Sequence, residues 1–373
     1  MKIMHLADLH LGKRINGYAL TEDQTYILKD ILEIADKEDV DVCLIAGDIY
    51  DRSIPPVDAV KLLNDFLRAL TERHIKVCMI SGNHDSAERI AFAGDLLKES
   101  GVFVSVPYEG KVRTAVIEDA YGEVCFYLLP FIKPGHVRSA FGNEKIRTYT
   151  EAVRAAIEEM KIDRDKRNVL LSHQFVTGSL VSDSEEISIG GLDNVDGEVY
   201  RGFDYVALGH LHRAQKALDE TIRYAGTPLK YAFTENDKTV TIVEMKNKGA
   251  VSYHQVKLHP KRQMRVLEGM FDALVAESQN TEQSCEDYLK VILNDEEDVP
   301  DAFHRLKAVY PNLMQMIYRN TRTEKESSFA EETIERRLSP VEYARDLYAE
   351  QNNKEMTEGQ KKILERLIEE VRA

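Results

Sequence analysis

The sequence has no tryptophan, only four cysteines and ten prolines in 373 residues, and no apolar run approaching the ~20 residues a membrane-spanning helix needs. Cys43, Cys78, Cys125 and Cys285 are widely separated and form no CxxC pair, which argues against a disulfide framework and for a reducing, cytoplasmic setting. The start, MKIMHLADLHLG, lacks a secretory h-region. There is no G-x-x-x-x-G-K-[ST] loop, so any ATP dependence has to be borrowed from another chain. Positive charge is short as well. Lysine and arginine total 49 against 64 acidic residues, a net charge of −15, and the pI is near 5.3. That balance argues against coating nucleic acid by bulk electrostatics. It leaves a phosphodiester substrate open, because bound metal ions concentrate positive charge locally and a partner subunit can supply backbone contacts. Internal repeats and low-complexity segments are missing too.

What is present is a 43% hydrophobic content, enough for a sizeable core and two or three domains. The first third alternates short β-branched runs, KIMHLAD, DVCLIAGD and KVCMISGN, with helical periodicity around Tyr26 to Glu38 and Val57 to Arg73. This alternation predicts α/β units with buried strands. Further strand-like runs are KVRTAVIED, EVCFYLLPF, RNVLLSHQF, DYVALGH, TIRYAGTP, KTVTIVEMK and AVSYHQVKL, too many for one small sheet. Two stacked sheets with helices outside are expected. The basic, proline-containing KLHPKRQMR marks a boundary. After it, DYLKVILND reads as a strand, DAFHRLKAVYP as a helix and LMQMIYRN as a strand, together a compact α+β module. The expected domains are therefore 1–258, 259–330 and a helical tail, 331–373, whose first residues, with Thr321 to Glu335, look like a linker. Ser339, Pro340 and Glu342 form one helix-starting capping box, and Thr357 with Gln360 a second. The stripe Ile363, Leu364, Leu367, Ile368 and Val371 then either docks on its own domain or is offered to a partner.

The ends of the apolar runs carry the chemistry. The first ends in Asp8-Leu9-His10, the second in Gly47-Asp48 with Asp51 behind, the third in Gly82-Asn83-His84-Asp85, a later one in His173, and the last in Gly209-His210-Leu211-His212. Open α/β sheets place their sites at these carboxyl ends. Carboxylates, imidazoles and one amide, without a thiolate, suit divalent ions such as manganese or iron better than a structural zinc cage. Seven groups are too many for one ion and natural for two, if one carboxylate bridges. A pair of ions about 3.5–4 Å apart can clamp the attacking and leaving oxygens of a phosphoryl displacement. A lone D-x-H would mean little; the five elements in this order are what matter. His5, His74, His136, His254, His259 and His304 lie outside the pattern and receive no function.

This series resembles that of the calcineurin-like metallophosphoesterases: D-x-H, G-D-x-x-D, G-N-H-[DE], H and G-H-x-H. Within them, MKIMHLADLHLG, GDIYDRSIPP, GGLDNVDGEVYRGFDYVALGHLH, YAGTPLKYAF and LHPKRQMRVLEG are similar to the SbcD nuclease subunits, relatives of the double-strand-break repair nucleases. The resemblance implies an α/β fold, a four-layer α/β/β/α sandwich with a small α+β capping domain and a C-terminal helical hairpin. It implies one metal on Asp8, His10, Asp48 and His212 and another on Asp48, Asn83, His173 and His210, both most naturally manganese, with Asp48 as the bridge. A water activated at the metals attacks phosphorus in line, while His84, not a ligand, stabilises the phosphorane or protonates the leaving 3′ oxygen. Asp51 and Asp85 are expected behind the ligands, orienting imidazoles or water. Arg52 is read either as a DNA-backbone contact or as a surface ion pair, since Ser53 replaces the glycine that follows such an arginine in protein phosphatases.

The implied activity is manganese-dependent DNA cleavage: exonuclease on duplex ends, endonuclease on single strands and hairpins. The implied partners are an SbcC-type ATPase with a long coiled coil, DNA, and a second copy within a heterotetramer, with no membrane. A phosphatase or cyclic-nucleotide phosphodiesterase on the same fold is the rival enzyme, disfavoured by the extra domain and tail. A catalytically silent scaffold is the non-enzymatic rival.

Overall fold

A computed structural model describes residues 1–185, 193–278 and 285–320, and in the tail 345, 348, 355–361, 363 and 364. Along the chain, β1 (Lys2–Leu6) precedes helix α1 (Thr21–Glu38), β2 (Val42–Ala46), α2 (Val57–Glu72), β3 (Lys76–Ile80) and β4 (Val102–Val104). A hairpin follows, β5 (Arg113–Asp119) and β6 (Gly122–Leu128), then helices α3 (Pro134–Phe141) and α4 (Tyr149–Glu159), β7 (Arg167–His173) and β8 (Tyr205–Gly209). Next come β9 (Gln215–Lys216), β10 (Ile222–Tyr224), β11 (Thr239–Met245) and β12 (Val251–Lys257). Every strand-like run named above before residue 258 is a strand.

These strands make two six-stranded mixed sheets, ordered β12-β11-β1-β2-β3-β4 and β9-β10-β8-β7-β6-β5. Strands β1 to β4 run parallel, as do β6, β7, β8 and β10, and antiparallel pairs lie at every edge except that of β4. The central parallel strands are buried on both faces, which explains their unbroken apolar runs. The two inner faces share one core, with Ile3, Val42, Leu44 and Ile80 meeting Phe126, Leu128, Val169 and Tyr205. On the outer face of the first sheet, α1 buries Ile27, Leu28, Ile31 and Ile34, and α2 buries Ala59, Leu63, Phe66 and Leu70, the three-and-four spacing of one helix face. The second sheet is covered by Val137 of α3 and Ala152, Val153 and Ala156 of α4. The Thr148–Glu151 capping box starts α4. Sequence periodicity had not singled out α3, α4 or the three-residue β4.

Backbone packing divides the chain into two compact units. The first comprises Met1–Val266, Thr281–Lys290 and Val309–Gln315, and the second Leu267–Asn280, Val291–Ala308 and Met316–Ala373. The basic cluster of KLHPKRQMR belongs to the first. Lys261 and Arg262 pair with Glu22, and Arg262 and the Tyr288 hydroxyl reach Asp23 on α1. Of the later elements, β13 (Met264–Gly269), β14 (Tyr288–Leu293) and β15 (Leu313–Tyr318) form a three-stranded sheet, with helices α5 (Phe271–Glu277) and α6 (Ala302–Val309). In the second unit Arg319 Nη1 donates to both Glu268 carboxylate oxygens, at 2.8 and 2.9 Å, and the Arg305 guanidinium lies 4.2 Å from the Phe271 ring centre. Of the tail, the Thr357–Gln360 box is formed, with each residue's amide bonded to the other's side chain. Ser339, Pro340, Glu342, Leu367, Ile368 and Val371, and most of the expected linker and hairpin, lie outside the described residues. Among the described residues no helix is long and apolar enough to cross a membrane.

Candidate metal centre

The carboxyl ends of β1, β2 and β3 in one sheet and of β7 and β8 in the other converge on one spot within the first unit. Small residues let the ends close: Ala7, Ala46 and Ala225 form a tiny buried cluster, and a Cβ on Gly209 would run into the Ala46 carbonyl. A Cβ on Gly82 would strike the Asp48 carboxylate and amide. Four of the site residues, Asp8 (φ 53°), His10 (φ 43°), Asp48 (φ 48°) and His210 (φ 102°), hold positive φ, a conformation L-residues avoid unless the surroundings impose it. The imposition is visible. The Asp8 and His10 amides donate to the Gly47 and Asp48 carbonyls at 3.0 Å each, and the His210 amide donates to the Asp8 carboxylate at 3.0 and 3.2 Å.

Asp48 is central. Its Oδ2 lies 3.3 Å from His173 Nε2, 3.8 Å from His10 Nε2 and 3.9 Å from His84 Nε2, and its Oδ1 accepts the His84 amide at 2.9 Å. To one side, His10 Nε2 and His212 Nε2 face each other at 3.2 Å beside Asp8. To the other, Asn83 Oδ1 lies 3.0 Å from both His173 Nε2 and His210 Nδ1. His173 Nδ1 donates to the Ala46 carbonyl at 2.8 Å, so Nε2 is the nitrogen presented to the site. Three sets of side chains are close enough to share an ion: Asp8, His10 and His212; His10, Asp48 and His84; Asp8, Asp48 and His173. The structure therefore brings together all seven residues that the sequence pointed to as ligands, and places His84 beside them.

The electrostatics call for cations here. Asp8 and Asp48 are buried, and among the described residues no lysine or arginine pairs with either. Burial, with Asp48 adding to it, pushes the Asp8 carboxyl well above the carboxylate range. Burial likewise holds His10 well below the usual imidazole value and brings His210 down to about 3. His173 goes the other way: burial opposes its charge, but Asp48 outweighs it and raises the imidazole to about 9. The donor set of carboxylates, imidazoles and an amide fits a pair of divalent ions.

The remaining expected residues separate. His84 Nδ1 donates to the Asp51 carbonyl at 3.1 Å, and its ring meets His10 edge-on at 4.9 Å, leaving Nε2 turned toward Asp48. Asp51 lies behind His10, 3.7 Å from Nδ1, and bonds Lys13 at 2.7 Å. Asp85 orients no imidazole among the described residues. Its oxygens accept the amides of Ile49, Tyr50 and Gly82 at 2.9–3.0 Å, tying two ligand-bearing loops together, while burial and Asp48 raise its carboxyl to about 6. Arg52 is three-quarters exposed, 3.7 Å from Asp51.

Sequence reasoning missed the groups behind His212. Its Nδ1 meets Ser184 Oγ at 2.5 Å, Ser184 donates on to Glu235, and Lys238 bonds both Glu235 and the His212 carbonyl. Glu235 is nearly buried, and bonds from His212 and Lys238 outweigh that burial to bring its carboxyl down to about 2. Glu235 and Lys238 sit in a loop after β10 without any motif spacing; only their place in YAFTENDK, next to the YAGTPLKYAF stretch, was a signal.

Residues 1–214 match the calcineurin-like phosphoesterase family, and residues 260–352 match a family described as the type 5 capsule protein repressor C-terminal domain. The SbcD component of the nuclease SbcCD of Staphylococcus epidermidis is 34% identical over 85% of this chain and 85% of its own length. The component of the same name from Staphylococcus saprophyticus is 33% identical over 99% and 98%. The chain belongs to the SbcD family of calcineurin-like phosphoesterases. Among solved structures, a dimetal phosphatase from Danio rerio aligns with 70% of this SbcD-family chain and 98% of its own, at 12% identity and a TM-score of 0.39, too distant to bear on function. The matched calcineurin-like segment, 1–214, contains every residue of the metal centre described above except Glu235 and Lys238.

Proposed function

We propose that this SbcD-family protein is the nuclease subunit of a DNA-processing complex and hydrolyses phosphodiesters at a two-metal centre, with manganese as the working ion. The observation that carries the reading is Asp48, a buried carboxylate without a lysine or arginine partner among the described residues, set between two groups of lone-pair donors. Asp8, His10, Asp48 and His212 would hold one ion and Asp48, Asn83, His173 and His210 the other. The ions supply a water nucleophile at neutral pH and neutralise charge on the phosphoryl oxygens. The chain's own residues do the rest. The left-handed loops fix the carboxylates before substrate arrives, so no reorganisation is needed during reaction. His84, locked by the Asp51 carbonyl, holds Nε2 where it can protonate the leaving 3′ oxygen or hydrogen-bond the phosphorane. Asp85 keeps the Asp48 and Asn83 loops in register.

The relatives are named as components of the nuclease SbcCD, which supports an SbcC-type ATPase as partner; the helical tail, 331–373, would be its contact. Pairing of two copies is supported by exposed Ile54, Val57, Phe92 and Leu96 on segments that meet where Arg89 bonds the Ser53 carbonyl. The test uses the protein alone and with its ATPase partner on end-labelled duplex, hairpin and single-stranded DNA, with manganese, magnesium or chelator. The reading requires manganese-dependent cleavage, reaching duplex ends only with partner and ATP. Hydrolysis of a phosphomonoester or cyclic nucleotide, with every DNA left intact, overturns it.

A further inference from the structure

On the Asn83–His210 side of the metal centre the protein opens into a cavity of about 200 Å³. Its walls are Phe131, Tyr149 and Phe175, all half-buried. Phe131 lies nearly parallel to His210, at 21° and 6.5 Å, and tilts against Tyr149 at 42° and 6.4 Å, while Phe175 leans on His210 at 6.4 Å. Gln174 also lines it. This residue is wholly buried, its Nε2 donates to the Ile132 carbonyl at 3.0 Å, and its Oε1 has no hydrogen-bond partner. A buried amide oxygen left so costs stability unless a donor meets it. Lys133 and Asp193 stand at opposite extremes of charge in the lining.

The chemistry selects an occupant. The cavity is smaller than the roughly 300–1,000 Å³ of pockets for drug-sized ligands, which suits one ring system. Aromatic walls suit a flat heterocycle, and the Asp193 carboxylate disfavours a second phosphate. Because Asn83 and His210 belong to both the metal centre and the cavity, whatever fills it is joined to the reacting phosphate within about one nucleotide. We propose that this cavity is a nucleobase subsite: it takes the base of a nucleotide flanking the scissile phosphate, stacked against the aromatic walls, with Lys133 on that nucleotide's backbone. The proposal rests on the nuclease reading and adds to it a means of setting register. The aromatic faces accept any base, so the subsite positions the strand and leaves cleavage tolerant of sequence.

The experiment walks a single abasic site through the nucleotides around the cleaved bond of a single-stranded substrate, with manganese and the wild-type protein. Base–aromatic stacking by alanine substitution corresponds to about 5- to 150-fold. At one flanking position kcat/KM falls by that range, and cleavage shifts away from the mapped bond. Tyr149→Ala or Phe175→Ala brings a similar loss on the intact strand, and Tyr149→Phe keeps most of the rate. On the strand abasic at that position the alanine substitution and the missing base do not multiply. Equal cleavage of every abasic strand, or losses that multiply, overturns the subsite and leaves the nuclease reading standing. Failure of the wild type to cut intact DNA overturns the nuclease reading, and the subsite falls with it.

Discussion

The two ends of the metal centre are built from opposite materials. Behind His10 and His212 stand ionic chains: Asp51 with Lys13 bonded to it behind one imidazole, and behind the other Ser184 leading to Glu235, which Lys238 pairs. Behind His173 and His210 stand a backbone carbonyl and aromatic rings, the Ala46 oxygen, Phe131 and Phe175. Both ends border open space: His212, Glu235 and Lys238 line a cavity of about 380 Å³, and Asn83 and His210 one of about 200 Å³, while His10, His212 and His173 are themselves at most 4% exposed. Ionic groups fix an imidazole through directed bonds and raise its basicity, which suits an ion that has to stay. Rings and a carbonyl fix orientation without adding charge. The two ends thus differ in what stands behind their imidazoles, directed ionic bonds at one and apolar packing at the other.

Removing what the two ends share has the largest effect. Asp48→Asn leaves no measurable cleavage and empties both ion sites, as metal content after dialysis will report; retention of both ions would end the assignment of Asp48 as the bridge. His84→Ala should lower kcat by about 10²–10⁴-fold, the range of a general acid, with metal content unchanged. Loss of an ion along with rate would instead make His84 a ligand, which its closeness to His10 and Asp48 permits. Glu235→Ala strikes the charged end alone: metal affinity measured by calorimetry falls about 10- to 100-fold at one site and stays at the other. A uniform fall at both sites would erase the distinction between the ends. Smallest is Arg52→Ala. Its side chain is 75% exposed with one contact at 3.7 Å, so thermal stability changes by less than about 1 kcal/mol. A rise in KM for DNA alone would favour the backbone-contact reading over the ion pair.

Both sheets were legible because parallel strands buried on two faces leave continuous apolar runs, and the side chains that cluster at the candidate centre were legible because each follows such a run. The helices α3 and α4 escaped notice: they lie between strands and bury only Val137 and Ala152, Val153 and Ala156, too little to stand out as a period. Asp85 shows a different limit. Its adjacency to His84 in the chain suggested a bond to imidazole or water, yet the left-handed turn at Asp48 aims the Ile49 and Tyr50 amides at it and Gly82 adds a third from its own loop, a result of backbone direction that residue type does not reveal. Glu235 and Lys238 were invisible because a loop brings them to His212 from 23 and 26 residues downstream, with no regular element to set a spacing.

His10 meets His212, and the Asp8 carboxylate meets the His210 amide, across 202 residues of chain. Contacts of such separation close long loops, which slows folding relative to local pairing. During synthesis β1 to β4 can pair as they emerge, but the cluster around Asp48 stays incomplete until His212 has left the ribosome. A chain stopped before His212 therefore carries the first half of the candidate centre and lacks the second.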